Sequence, residues 1–166
     1  MRNKQKGFSL IELLIVVAII LIIAAIAIPN LIRSKMAANE ASAVASLRTI
    51  NTAEVVYSST YNTSAVFSAD LPGLADGGTA GFCAVSTNVP TSTSACLIDN
   101  ALALATTTTA PKSGYYFTYA PTAGTYTLTG QPQTVNSTGV RYFFTDQTVV
   151  IRGNPGSAAT STSNPI

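Results

Sequence analysis

The sequence predicts an α+β fold: a long N-terminal helix, membrane-spanning in its first half and amphipathic in its second, packed on a four-stranded antiparallel β-meander. Three observations carry this reading. Between Phe8 and Ile28 only Ser9 and Glu12 are polar, and about 20 apolar residues at a rise of about 1.5 Å each span a bilayer core as a helix. Past Pro29, apolar residues recur near helical spacing, as at Val44, Leu47 and Ile50. From Gly114 the apolar period falls to two, in short runs separated by turn residues.

Residues 1–7 form a short basic leader carrying Arg2, Lys4 and Lys6, a flank that keeps the N-terminus on the cytoplasmic side of a membrane. Residues 8–28 are the spanning segment. Its one carboxylate, Glu12, is out of place, because a charge at membrane depth costs about 2.5–3.5 kcal/mol on insertion scales and so marks a function and a partner. A secretory signal would have a shorter apolar core ending in a small-residue cut site. Ala25-Ile26-Ala27 could pass for such a site, but the core is too long. A plain single-pass anchor fits the length and gives Glu12 no role.

Lys6-Gly7-Phe8-Ser9-Leu10-Ile11-Glu12, followed by Leu13 to Ile28, resembles the class III signal of type IV pilins, which type II secretion pseudopilins share. The seven-residue leader and Phe8 are similar to the type IVa, N-methylphenylalanine branch. The resemblance is firm over residues 1–60 and a matter of pattern beyond. It implies that a prepilin peptidase cuts after Gly7 and N-methylates Phe8. It also implies that Glu12 pairs with the Phe8 amine of a neighbouring subunit during filament assembly. On that reading the chain is a pilin-like structural subunit, a precursor in the bacterial inner membrane that the pilus assembly machinery polymerises with its own copies. The resulting surface filament would serve adhesion, twitching motility or DNA uptake. The alternatives are a major pseudopilin of type II secretion and, of another class, a non-polymerising membrane-anchored binding domain.

Residues 29–61 continue the helix. Pro29 lacks an N–H and clashes with the preceding turn, so a kink is expected there. Val44, Leu47, Ile50, Val55 and Tyr57 make the apolar stripe, with Arg48 and Glu54 expected to face water or neighbouring subunits, and Tyr57 and Tyr61 are expected to pack together at i and i+4. Residues 62–113 connect helix to sheet and are dense in Gly, Ser, Thr and Pro. A helical turn is expected at Ser68–Leu74 with Leu71 and Leu74 inward. A short helix is expected at Cys96–Leu104, with Leu97, Ala101 and Leu104 on one side. Residues 114–152 supply the four strands: Tyr115–Tyr119, Thr125–Thr129, Val140–Thr145 and Thr148–Arg152, the last two joined at Asp146-Gln147. The tail, 153–166, reads as mobile.

The formal charge of +2 is misleading, because three of the nine basic residues sit in the leader and the remainder carries six against seven acidic. No basic patch for nucleic acid survives. The two cysteines, Cys83 and Cys96, lie on the exported side of the anchor, where an even pair is most simply a disulfide. The chain has no His, which removes Ser-His and Cys-His pairs and imidazole metal ligands. Acidic residues are scattered without calcium-loop spacing. No catalytic residue, cofactor or metal site is expected. The aromatic residues of the strands read as core rather than as a conduction path, since strands favour aromatics for packing alone.

Overall fold

The computed structural model describes residues 8–61, 67–78, 81–122 and 124–166. Two compact units divide the chain near Lys35, and α1 (Leu10–Tyr61) contributes to both. In the first unit α1 stays helical through Pro29. Its apolar side chains are uncovered throughout: Phe8 is 77% exposed and Ile26 73%.

In the second unit, one face of α1 enters the core through Ala43, Leu47, Ile50, Ala53 and Tyr57. Opposite it stands an antiparallel sheet in sequence order, β1 (Tyr115–Thr122), β2 (Thr125–Pro132), β3 (Arg141–Asp146), β4 (Arg152–Pro155) and β5 (Asn164–Pro165). Tyr115, Phe117, Tyr126, Leu128 and Phe143 point from the first three strands into the same core and are at most 1% exposed. Each such side chain contributes about 1.5–3 kcal/mol by leaving water. The connecting segment adds α2 (Leu71–Leu74), a 3-10 turn at Phe82–Ala84, and α3 (Asn100–Ala103). Leu71 and Leu74 are buried, as expected. Asp70 caps α2 by accepting the Gly73 N–H at 2.7 Å, and Pro72 sits in the first turn, where its missing N–H is harmless.

Several expectations are corrected. Among the described residues the sheet has five strands, not four, because the fourth starts late and the tail adds a fifth. Val149 adopts a left-handed backbone (φ 64°) after a turn in which its N–H donates to the Asp146 carbonyl at 2.9 Å. Pairing therefore resumes only at Arg152, opposite Phe144. A β-branched residue in that conformation is an outlier that costs about 1–3 kcal/mol. The tail expected to be mobile supplies part of β4 and all of β5, with Arg152 paired to Pro165.

The short helix at 96–104 also starts later and buries a different side. Leu97 N–H and Ile98 N–H both donate to the Leu74 carbonyl, and Cys96 has a left-handed backbone at φ 56°, so the helix begins only after Asp99. Leu102, Ala103 and Ala105 are buried, while Ala101 and Leu104 are exposed. On α1, Val55 is 53% exposed and Glu54 fully buried, the reverse of what their residue types suggest. β1 runs on through Pro121, paired with Tyr126, because an edge strand tolerates proline on its open side.

Candidate functional site

The N-terminal segment starts as a capped helix. Ser9 stands just before α1, its carbonyl accepting the Leu13 N–H, and its own N–H donates to Glu12 Oε2 at 2.9 Å. That is the reciprocal half of a capping box, and a carboxylate in the first turn also suits the positive end of the helix dipole. One oxygen is thus engaged locally. Oε1 has no hydrogen-bond partner among the described residues, and the side chain is exposed. Phe8 is likewise exposed, next to the Ser9–Glu12 cap. Gly7 and the leader charges Arg2, Lys4 and Lys6 lie outside the described residues. Beyond the cap an apolar surface runs along α1 to Ile32, exposed at every large residue.

In the head, Cys83 and Cys96 are joined in a disulfide with Cα atoms 5.5 Å apart, within the range such a bond can bridge. The loop it closes is held by a residue that the sequence reading left without a role. Asp76 Oδ2 accepts the Gly81 N–H at 2.8 Å, and Oδ1 accepts the Cys83 N–H at 3.3 Å. Gly77 beside it has φ +62°, and a Cβ there would stand 2.2 Å from the Thr93 carbonyl oxygen. Only glycine fits that approach.

Sequence reasoning also missed a buried polar cluster between α1 and the sheet. Tyr126 donates to Asn51 Oδ1 at 2.9 Å, and Asn51 Nδ2 donates to Thr145 Oγ1 at 3.0 Å. One turn on, Glu54 Oε2 accepts the Ser68 N–H at 3.0 Å, while the Tyr119 hydroxyl donates to the Ser68 carbonyl at 3.0 Å. Glu54 Oε1 is buried with no hydrogen-bond partner among the described residues. Burial drives the Glu54 pKa up, against smaller opposing pulls from the Tyr119 hydroxyl and the Ser68 N–H. Burial and the neighbouring carboxylate together raise Tyr119 as well. The signal for Glu54 was its spacing: seven after Leu47 and three before Tyr57, it falls on the core stripe. Tyr57 packs on Tyr61 with ring centroids 5.2 Å apart, as expected, and its hydroxyl donates to the Ser92 carbonyl.

The geometry thus separates a capped, uncovered apolar helix from a folded head pinned by one disulfide and one polar cluster. Comparisons with known proteins bear on the first of these. Residues 2–28 match the family described as the prokaryotic N-terminal methylation motif. Over 40 residues, 24% of this chain and 30% of the relative, the sequence is 62% identical to the type IV wide pilus major component PilA4 of Thermus thermophilus. Over 51 residues, 31% of this chain and 23% of the relative, it is 49% identical to the type IV major pilin protein PilA of Myxococcus xanthus. The matched stretches therefore span less than a third of either relative. No solved structure matches the chain. The methylation motif covers the Gly7-Phe8 junction, Glu12 and the apolar run that the structure leaves bare, and over this segment the chain is similar to type IV pilins.

Proposed function

We propose that this chain is the structural subunit of a type IV pilus: held in the inner membrane as a precursor, cut after Gly7, N-methylated on Phe8 by a prepilin peptidase, and polymerised with its own copies into a surface filament. The observation that carries the reading is the first half of α1, spanning-length and apolar, with nothing among the described residues of its own unit to cover it. Lipid covers it in the precursor, and the equivalent helices of neighbouring subunits cover it in the filament. Glu12 Oε1 is the acceptor for the Phe8 amine of a neighbour, while Oε2 keeps the Ser9 N–H. Removing one partner of a buried ion pair leaves an uncompensated charge, which costs about 3–5 kcal/mol. Pro29 supplies the kink that adjusts the helix within the bundle. The role is structural rather than enzymatic.

The test is the mature subunit itself. Intact mass and N-terminal peptide sequencing of protein sheared from cells should place the first residue at Phe8 with one added methyl, and electron microscopy should show filaments built of it. A first residue at Met1, or one near Ala27, would defeat the proposal.

A further inference from the structure

Two exposed features of the head, drawn from different elements, pair apolar surface with opposite charge. The first is a shallow groove of about 340 Å³ on the outer side of α1, lined by Arg48, Thr49, Thr52, Ala53, Val56 and Leu97. Val56 is 40% exposed. Among the described residues Arg48 has no carboxylate within ion-pair reach, the two ion pairs being Lys112–Asp99 and Arg141–Glu40. The groove is thus an apolar floor beside an uncommitted cation.

The second is the turn between β3 and β4. It presents Val149 and Val150, 46% and 38% exposed, as a projecting apolar pair. Val149 is held there in the left-handed conformation, at φ 64°, which asparagine or glycine would adopt more easily. Folding of the head does not call for valine at this exposed position. Asp146 flanks it. Oδ1 accepts the N–H and the hydroxyl of Thr148, whereas Oδ2 has no hydrogen bond among the described residues. The projection is an apolar knob beside an uncommitted anion.

We propose that the Val149–Val150 knob of one copy docks in the Arg48–Val56–Leu97 groove of the next, with Asp146 facing Arg48 across the contact. The occupant is a second copy because the groove and the knob carry opposite charge and matching apolar centres within one sequence. Groove and knob are different patches, so the contact is heterologous: each copy uses its groove for one neighbour and its knob for another. Such contacts propagate into open arrays rather than closing as two-fold dimers. This rests on the filament reading and adds to it a head-to-head contact independent of Glu12.

Charge reversal tests the pairing. Arg48→Asp and Asp146→Arg should each lower the yield of sheared filaments at least tenfold at unchanged membrane-bound subunit, and the double variant should recover most of the yield. Val149→Asn should leave the melting temperature of the detergent-solubilised full chain unchanged or higher while lowering filament yield. A purely structural role would move the two readouts together. If Val149→Asn lowers the melting temperature, or the double reversal yields no more filament than the singles, the inference is overturned. Normal yields from all three single variants would overturn it too, assigning the patches to some other partner while the filament reading stands. Absence of filaments from the unaltered chain would defeat both.

Discussion

At Glu54 a carboxylate is enclosed with one oxygen satisfied and the other bare. A proton on Oε1 removes the buried charge, which burial already disfavours. The folded head therefore binds this proton more tightly than the unfolded chain does. Its contribution is fully present below the ordinary carboxylate pKa and is lost as pH rises through the raised folded value. Relative to Glu54→Gln, which carries no titrating group, the unaltered head should lose stability as pH climbs from about 4.5, by up to about 1.4 kcal/mol per pH unit. Denaturant melts of both proteins across a pH series would show this, and parallel curves would refute it. Gly139 gives a second residue-scale test. A Cβ there would lie 2.1 Å from the Tyr115 hydroxyl oxygen, whose bond to the Arg141 carbonyl anchors β3. Gly139→Ala should cost about 1–3 kcal/mol by overpacking, read as a lowered denaturation midpoint.

Among the elements, the Cys83–Cys96 bond ties the 3-10 turn to the stretch 95–98, whose N–H groups donate to carbonyls at the end of α2. Replacing both cysteines by serine should lower head stability by about 3 kcal/mol on the loop-entropy account. Adding reductant to the unaltered protein should reproduce the loss, while the variant should not respond. Peptide mapping without reductant should recover the two cysteines linked. This bond, α1, α2 and the first three strands were legible because each has a local signal: an even cysteine pair, a spanning apolar run, an Asp-Leu-Pro start, period-two aromatics. What stayed illegible was set by tertiary geometry. Val149-Val150-Ile151 has strand composition, yet only Ile151 is buried, because the turn that ends β3 consumes Val149. Asn164-Pro165 has no strand propensity at all and becomes β5 only because β4 is there to receive it. Glu54 was misplaced because residue type was allowed to outweigh helical position. At the candidate assembly site, a contiguous motif proposes Gly7, Phe8 and Glu12, whereas the Ser9–Glu12 cap needed coordinates.

For the whole molecule, anchor and head divide the work, so mutations should divide their effects. Glu12→Ala removes a carboxylate from a membrane-depth helix and leaves every core contact of the head in place. Subunit levels in the membrane should hold or rise, the head should melt as before, and the yield of sheared filaments should collapse. Glu12→Gln should behave like Glu12→Ala, because an amide cannot neutralise a neighbour's Phe8 amine. The ratio of filament to membrane-bound subunit is the quantity to measure. Normal filaments from Glu12→Ala at normal subunit levels would remove the assembly role and favour a membrane-anchored binding domain.

On the proposed filament reading, a chain that polymerises by one route also has to refuse another, and the prolines at the two ends of the sheet serve that end. Along β1 the Tyr115 and Phe117 N–H groups point away from β2 and are taken by the Lys112 and Ala105 carbonyls. Pro121 shares their register and has no N–H to offer. On the other side, Ile166 donates inward to the Ile151 carbonyl, which puts Pro165 in the outward register of β5, again without a donor. A foreign strand arriving at either margin finds few backbone donors to pair with, which is how natural sheets resist edge-to-edge stacking. In the proposed filament, heads crowded at high local concentration would thereby be kept from fusing into a continuous cross-β ribbon.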